Sequence, residues 1–90
     1  MNIETKELNI SDTLKRKIEI ICRFSNVKYE LINGSIISIN NTNLGYIKPH
    51  ILRINNVYFL FFNDKDIVFI NGYSNPIRLC DLESYIKDNI

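Results

Sequence analysis

The stretch Val57-Tyr58-Phe59-Leu60-Phe61-Phe62 decides the fold of this chain, together with the nearby run Ile67-Val68-Phe69-Ile70. Both runs are apolar at odd and even positions alike. Because a strand directs alternate side chains to opposite faces, a continuous apolar run predicts a strand that needs cover on both sides. A chain of 90 residues has little material to provide that cover. The main question posed by the sequence is therefore what lies over the second face.

Short polar turns beside these runs predict how the strands pair. Asn55-Asn56 predicts a two-residue turn that sets Ile54 opposite Val57, and Asp64-Lys65 predicts the next turn. One face of the resulting three-stranded unit is the expected core: His50, Leu52, Ile54, Val57, Phe59, Phe61, Val68 and Ile70. The opposite face, called the outer face below, carries Ile51, Arg53, Tyr58, Leu60, Phe62, Ile67 and Phe69. An exposed patch this apolar is unusual in a monomer.

Apolar residues at helical spacing predict a helix before these strands and another after them. Ser11 is the expected N-cap of the first helix, with Asp12 in its first turn. Its buried stripe is Leu14, Ile18, Ile21 and Cys22. The second helix is predicted from about Asp81 to Asp88, with Leu79, Leu82 and Ile86 on one side.

Between the first helix and the apolar runs, the pattern changes to the period of two that is typical of strands. Val27, Tyr29 and Leu31 alternate with charged residues, which predicts a half-buried strand. Asn33-Gly34 predicts a type I′ hairpin turn, after which the chain returns along Ser35 to Asn40. The expected loop Asn41-Thr42-Asn43 and a strand from Leu44 to Ile47 follow.

These elements predict a single α+β domain over residues 1–90. We expect an antiparallel meander of about five strands, with the N-terminal helix packed on one face and a short C-terminal helix. A small SH3- or Sm-like barrel is the alternative, because Asn33-Gly34 and Ile70-Asn71-Gly72 resemble turn motifs of Sm-like barrels. The resemblance covers those two motifs, and no function is carried over from it. The outer face is then covered by a helix, by barrel closure or by a dimer.

The composition indicates a cytoplasmic protein of AT-rich origin. Isoleucine occurs 17 times and asparagine 13 times, whereas alanine, glutamine and tryptophan are absent, and the net charge is +1. AT-rich codons explain this usage, which an AT-rich bacterium, its phage or an archaeal virus would share, and we expect an AT-rich phage, virus or mobile element as the source. The longest apolar run is six residues, too short for a membrane span, and no signal peptide is apparent. Cys22 and Cys80 are expected to be free, buried thiols.

The sequence offers few residues for catalysis, and we expect a protein that is not an enzyme and has no cofactor. His50 is the single histidine, and it could act as a general base or pair with a nucleophile such as Ser35 or Ser74. A buried structural imidazole is the simpler interpretation. Asp64 and Asp66 lack a third acidic ligand nearby, so we predict no metal site.

Two kinds of partner remain. The outer face, with Ile51, Tyr58, Leu60, Phe62, Ile67 and Phe69, predicts a protein partner or a homodimer. The protein would then act by occluding or bridging a macromolecule, for example as an inhibitor of host defence. The alternative is nucleic-acid binding through Lys15, Arg16, Arg23 and Lys28, helped by the tyrosines at positions 29, 46, 58 and 73.

Overall fold

The computed structural model describes residues 3–39 and 47–90. At its centre, β5 (His50–Ile54) and β6 (Val57–Phe61) form a hairpin in which Ile54 faces Val57. Asn55 closes this hairpin with a φ of 55°, a left-handed conformation that asparagine tolerates well. β7 (Ile67–Ile70) then pairs with β6 and places Phe61 opposite Val68. The register predicted from the sequence is confirmed on both sides of β6.

Two shorter strands complete an antiparallel sheet of five. β2 (Glu30–Ile32) pairs with β5 at one edge, and β8 (Ile77–Arg78) pairs with β7 at the other. The spatial order is β2-β5-β6-β7-β8. The two edge strands are not neighbours in the described part of the chain, so the sheet is open rather than the barrel considered above.

Both helices pack on the same side of this sheet. α1 (Asp12–Ser25) buries Leu14, Ile18 and Cys22, and α2 (Leu82–Asn89) buries Leu82 and Ile86. These side chains form one cluster with the inner face of the sheet and with Leu79, which lies in a 3₁₀ turn over Leu79–Asp81. The architecture is α+β, with the N-terminal helix on one face as expected.

Local chemistry fixes the ends of α1 where the sequence predicts them. The Ser11 hydroxyl accepts a hydrogen bond from the backbone N–H of Leu14 at 3.3 Å, a cap that satisfies one of the free donors of the first turn. At the other end Asn26 takes a φ of 54°, and its N–H donates to the carbonyl of Arg23. The helix is therefore confined to the stretch whose apolar stripe faces the core.

The hairpin predicted at Asn33-Gly34 is wrong. β2 and β3 (Ser35–Ile39) do not pair with each other. Instead β2 pairs with β5, and β3 pairs with β4 (Ile47–Lys48). The two pairings continue each other without a shift, from Glu30 opposite Arg53 to Ile36 opposite Ile47. Residues 30–39 are thus one long strand interrupted at Asn33-Gly34, and neither of those two residues has a positive φ.

The interruption has a clear physical cause on the opposite strand. Pro49 faces this point and lacks a backbone N–H, so it cannot donate a bond to the ladder. The N–H of Gly34 donates instead to Nδ1 of the His50 side chain at 2.7 Å. Gly34 is required here for close approach: a Cβ would overlap the Lys48 carbonyl oxygen and lie 2.8 Å from the carbonyl carbon of Pro49.

A strand that the sequence did not indicate lies near the N-terminus. β1 (Ile3–Glu7) pairs antiparallel with β3, giving a second sheet of order β1-β3-β4. No side chain of this sheet that the structure describes belongs to the buried core, and all five β1 residues are exposed. The protein is elongated, with principal extents of 46 × 27 × 21 Å. We call this second sheet the arm.

The two cysteines differ in exposure, which corrects one expectation from the sequence. Cys22 is buried, but Cys80 is exposed, because Leu79 and Leu82 occupy the inward positions around it. Both thiols are unpaired, as predicted.

The loop at 41–43, the start of the strand predicted from Leu44, and Tyr46 lie outside the described residues. In the described ranges, neither helix has the length and apolar character that crossing a membrane requires.

Candidate functional site

The outer face of the five-stranded sheet carries an apolar row that crosses four strands. Ile32 is opposite Ile51, Ile51 is opposite Leu60, and Leu60 is opposite Phe69. Residues that face each other across antiparallel strands share one side of the sheet, so these four side chains form a continuous ridge. Phe62 extends the ridge, with its ring edge-on to that of Phe69 at 6.5 Å between centroids.

The outer face lies opposite both helices. None of the six residues predicted from the sequence for this face belongs to the core or to the apolar residues packed against it. Tyr58 is 39% exposed and Ile32 is 41% exposed, and the remaining members of the ridge are half-buried by their neighbours in the sheet. The structure therefore brings the six predicted residues together on an accessible surface. It adds Ile32, which the sequence assigned to a different hairpin.

Cations lie around one end of this ridge. Arg78 is opposite Ile67 across β7 and β8, and the Lys65 ammonium is 5.3 Å from the centre of the Phe62 ring. Neither cation forms an ion pair among residues 3–39 and 47–90. At the other end, Arg53 pairs with Glu30 at 3.0 Å and is neutralised. The outer face thus combines an apolar centre with two unpaired positive charges.

His50 is a structural residue in this fold. It is 2% exposed, its Nδ1 accepts the Gly34 N–H, and its ring contacts that of Phe61 at 5.4 Å. Asn63 forms a side-chain hydrogen bond with His50, donates to the carbonyl of Asn9 at 3.0 Å and accepts from the N–H of Ser11. The imidazole therefore links the interrupted strand to the segment before α1.

Burial gives His50 a measurable effect on stability. Burial lowers its pKa below the ordinary 6.5, and the hydrogen bond with Asn63 opposes this in part. The unfolded chain then binds more protons than the folded chain as the pH falls below 6.5, so we expect stability to drop in that range. His50→Asn keeps an acceptor near the position of Nδ1 without titrating.

Urea unfolding of the two proteins between neutral and mildly acidic pH checks this expectation. The wild type should lose stability on acidification more steeply than His50→Asn, whose curve should be flatter although its stability is lower throughout. Parallel curves would mean that protonation of His50 is not linked to folding.

Within the described ranges, the residues considered for catalysis and metal binding do not come together in one site. In the described part of the chain, His50 forms no hydrogen bond with Ser35 or Ser74, and Ser74 is exposed. The same ranges contain no group of three or more histidine, cysteine or acidic side chains that could hold a metal ion. Burial raises the pKa of the Cys22 thiol to about 11, so this thiol is neutral at physiological pH.

The basic residues proposed for nucleic acid lie on and just after α1. Lys15, Arg16, Arg23 and Lys28 are all exposed. Glu19 lies between Lys15 and Arg23 on α1, but it forms no ion pair with either among the described residues. Tyr29 is 39% exposed.

α1 carries an exposed apolar pair on its solvent side. Ile20 is 52% exposed and Phe24 is 73% exposed, one helical turn apart. A shallow groove beside Ile20 is lined by Ile21, Leu79 and Cys80. Phe24 therefore lies outside the buried stripe of α1.

Comparison of the chain with protein-family models, with curated proteins and with solved structures finds no match.

Proposed function

We propose that this chain is a non-enzymatic binding protein that occludes or bridges a protein partner through its outer face. The observation that carries the proposal is the apolar ridge on the side of the sheet that neither helix covers. Burying a large apolar side chain gains about 1.5–3 kcal/mol, so several of them on one surface supply a substantial driving force for association. Aromatic residues such as Tyr58 and Phe62 are typical anchors of such contacts.

The charges beside the ridge define the chemistry of the partner. A surface that buries Phe62 and Ile67 also brings Lys65 and Arg78 to its rim, where neither forms an ion pair among the described residues. The partner is therefore a protein segment with apolar side chains flanked by aspartate or glutamate. Such complementarity selects the partner and its orientation more than it adds affinity.

The composition favours a particular kind of source organism. The isoleucine- and asparagine-rich, alanine-free usage favours an AT-rich phage, virus or mobile element. A small protein from such a source that blocks a surface of a host protein would be an inhibitor of host defence, acting in the cytoplasm. The homodimer expected from the sequence would use this same outer face, with a second copy of the chain in place of the partner.

Comparative affinity purification from the native host tests this function. Tagged wild type, Phe69→Asp and Lys15→Asp are purified in parallel from nuclease-treated lysate, and bound proteins are quantified by mass spectrometry. We expect a protein that is retained by the wild type and by Lys15→Asp but lost from Phe69→Asp. Tyr58→Ala, which alters an exposed side chain outside the core, should weaken the same association while the fold stays intact.

A protein retained equally by all four versions would contradict the proposal. A protein lost only from Lys15→Asp would move the binding site to α1.

Nucleic-acid binding is the second candidate, because Lys15, Arg16, Arg23 and Lys28 are exposed and unpaired among the described residues. Fluorescence anisotropy with a labelled single-stranded oligonucleotide separates the two. Contacts from basic residues to phosphates make the logarithm of affinity fall linearly with the logarithm of salt concentration. A steep fall that Arg16→Asp flattens would support this candidate, and absence of binding at low salt would remove it.

A further inference from the structure

The arm, composed of β1, β3 and β4, lacks the support that a small sheet normally needs. None of the arm side chains that the structure describes joins the core, and the exposed fraction of Ile3 is 65%. Small sheets are marginal in water unless a hydrophobic face is packed against something else. The protein is also elongated, because its radius of gyration of 14.3 Å exceeds the ~12 Å typical of 90 residues. These features indicate a missing contact at the arm.

The open edge of β1 carries backbone groups ready to pair. Among the described residues β1 is bonded only to β3, in one uninterrupted register. The Leu8 N–H donates to the Gly34 carbonyl at 2.9 Å, and Leu8 and Gly34 continue that register. Because bonded positions alternate along an antiparallel pair, Glu4 and Lys6 turn their N–H and C=O groups toward β3. The corresponding groups of Ile3, Thr5 and Glu7 point toward the open edge.

The sequence of β1 is complementary to itself in one register. Twofold pairing of two identical antiparallel strands requires that one residue face its own copy, because opposed residues must lie on the same side of the sheet. Centring on Glu4 opposes two carboxylates, and centring on Lys6 opposes two ammonium groups. Centring on Thr5 opposes two threonines, sets Glu4 of each copy against Lys6 of the other, and sets Ile3 of each copy against Glu7 of the other. This register also gives a central pair whose N–H and C=O groups point at the open edge.

We infer that a second copy of this chain pairs with β1 in the Thr5-centred register, joining two arms into one six-stranded sheet. The two Glu4–Lys6 pairs then occupy non-bonded positions, where side chains lie closest. The outer face stays free in this dimer, so the contact goes beyond the proposed function and does not depend on it. The dimer would present two outer faces to partners at once.

Reciprocal charge variants test this contact by light scattering across a dilution series from low micromolar to millimolar. The wild type should approach twice 10.6 kDa at high concentration. Lys6→Glu and Glu4→Lys each create two like-charge pairs, so each should weaken dimerisation by about tenfold or more at low salt. An equimolar mixture of these two variants restores two opposite-charge pairs and should dimerise. The double variant should dimerise like the wild type.

Several outcomes would overturn the inference. A wild type that remains at 10.6 kDa at every concentration removes the dimer. A dimer that Lys6→Glu leaves unchanged, or a mixture that stays monomeric, removes the β1 register. A dimer that dissociates in Phe69→Asp but not in Lys6→Glu places the second copy on the outer face. Circular dichroism of each variant confirms that mass changes do not reflect unfolding, and loss of the dimer leaves the purification test unaffected.

Discussion

Replacing Gly34 with alanine should lower the free energy of unfolding by about 3 kcal/mol or more. The added Cβ would overlap the Lys48 carbonyl oxygen and lie 3.0 Å from the backbone nitrogen of His50. These are backbone atoms, so no side-chain rotation can relieve the overlap. The strand interruption and the Gly34–His50 hydrogen bond would both have to shift. Urea unfolding followed by circular dichroism measures the loss.

Gly72→Ala is the matched control for this change. Gly72 has a φ of 93°, but a Cβ there would meet nothing within 4 Å. The cost is therefore conformational strain alone, about 1–2 kcal/mol. Equal effects at the two positions would contradict the close approach of the strands at Gly34.

Phe59→Ala should destabilise the protein by about 3–5 kcal/mol, the range seen when a buried aromatic side chain is removed. Phe59 has no exposed surface, and its ring meets that of Tyr85 from α2 edge-on at 5.7 Å. Truncation leaves a cavity between the sheet and both helices, which cannot close without moving them. A domain of this size is stable by only about 5–10 kcal/mol, so the variant should be close to unfolding at body temperature.

Phe69→Ala provides the comparison on the other side of the sheet. Phe69 lies on the outer face and is only half-buried, so its removal should cost about 1 kcal/mol. A large difference between the two phenylalanines would show that the inner face supplies stability while the outer face is free for binding. Similar losses would mean that the outer face is covered.

The central hairpin could be predicted because its signals are local. Asn55-Asn56 is a short polar turn between two apolar runs, and Asn55 adopts the positive φ that such a turn needs. Once that turn is placed, alternation alone assigns Phe59 to the core and Leu60 to the outer face. The helix N-cap at Ser11 is equally local. The turns at Asn55-Asn56 and Asp64-Lys65, together with strand alternation, placed all six predicted residues on the outer face.

Features decided by distant residues could not be predicted. Asn33-Gly34 has the composition of a hairpin turn, yet its conformation is set by Pro49 and the His50 side chain on the facing strand. β1 is exposed on both faces, so it has no apolar alternation to reveal it. The rim cation Arg78 was missed because its two-residue strand is too short to give a periodic signal.

Photo-cross-linking in the native host tests the binding role of the outer face most directly. A benzophenone-bearing phenylalanine analogue replaces Tyr58 on the outer face or, as control, Phe24 on α1, both of which are exposed aromatic residues. We predict an adduct between the chain and a different protein from position 58 and not from position 24. Adducts from position 24 alone, or an adduct from position 58 at twice 10.6 kDa, would contradict a partner-binding outer face.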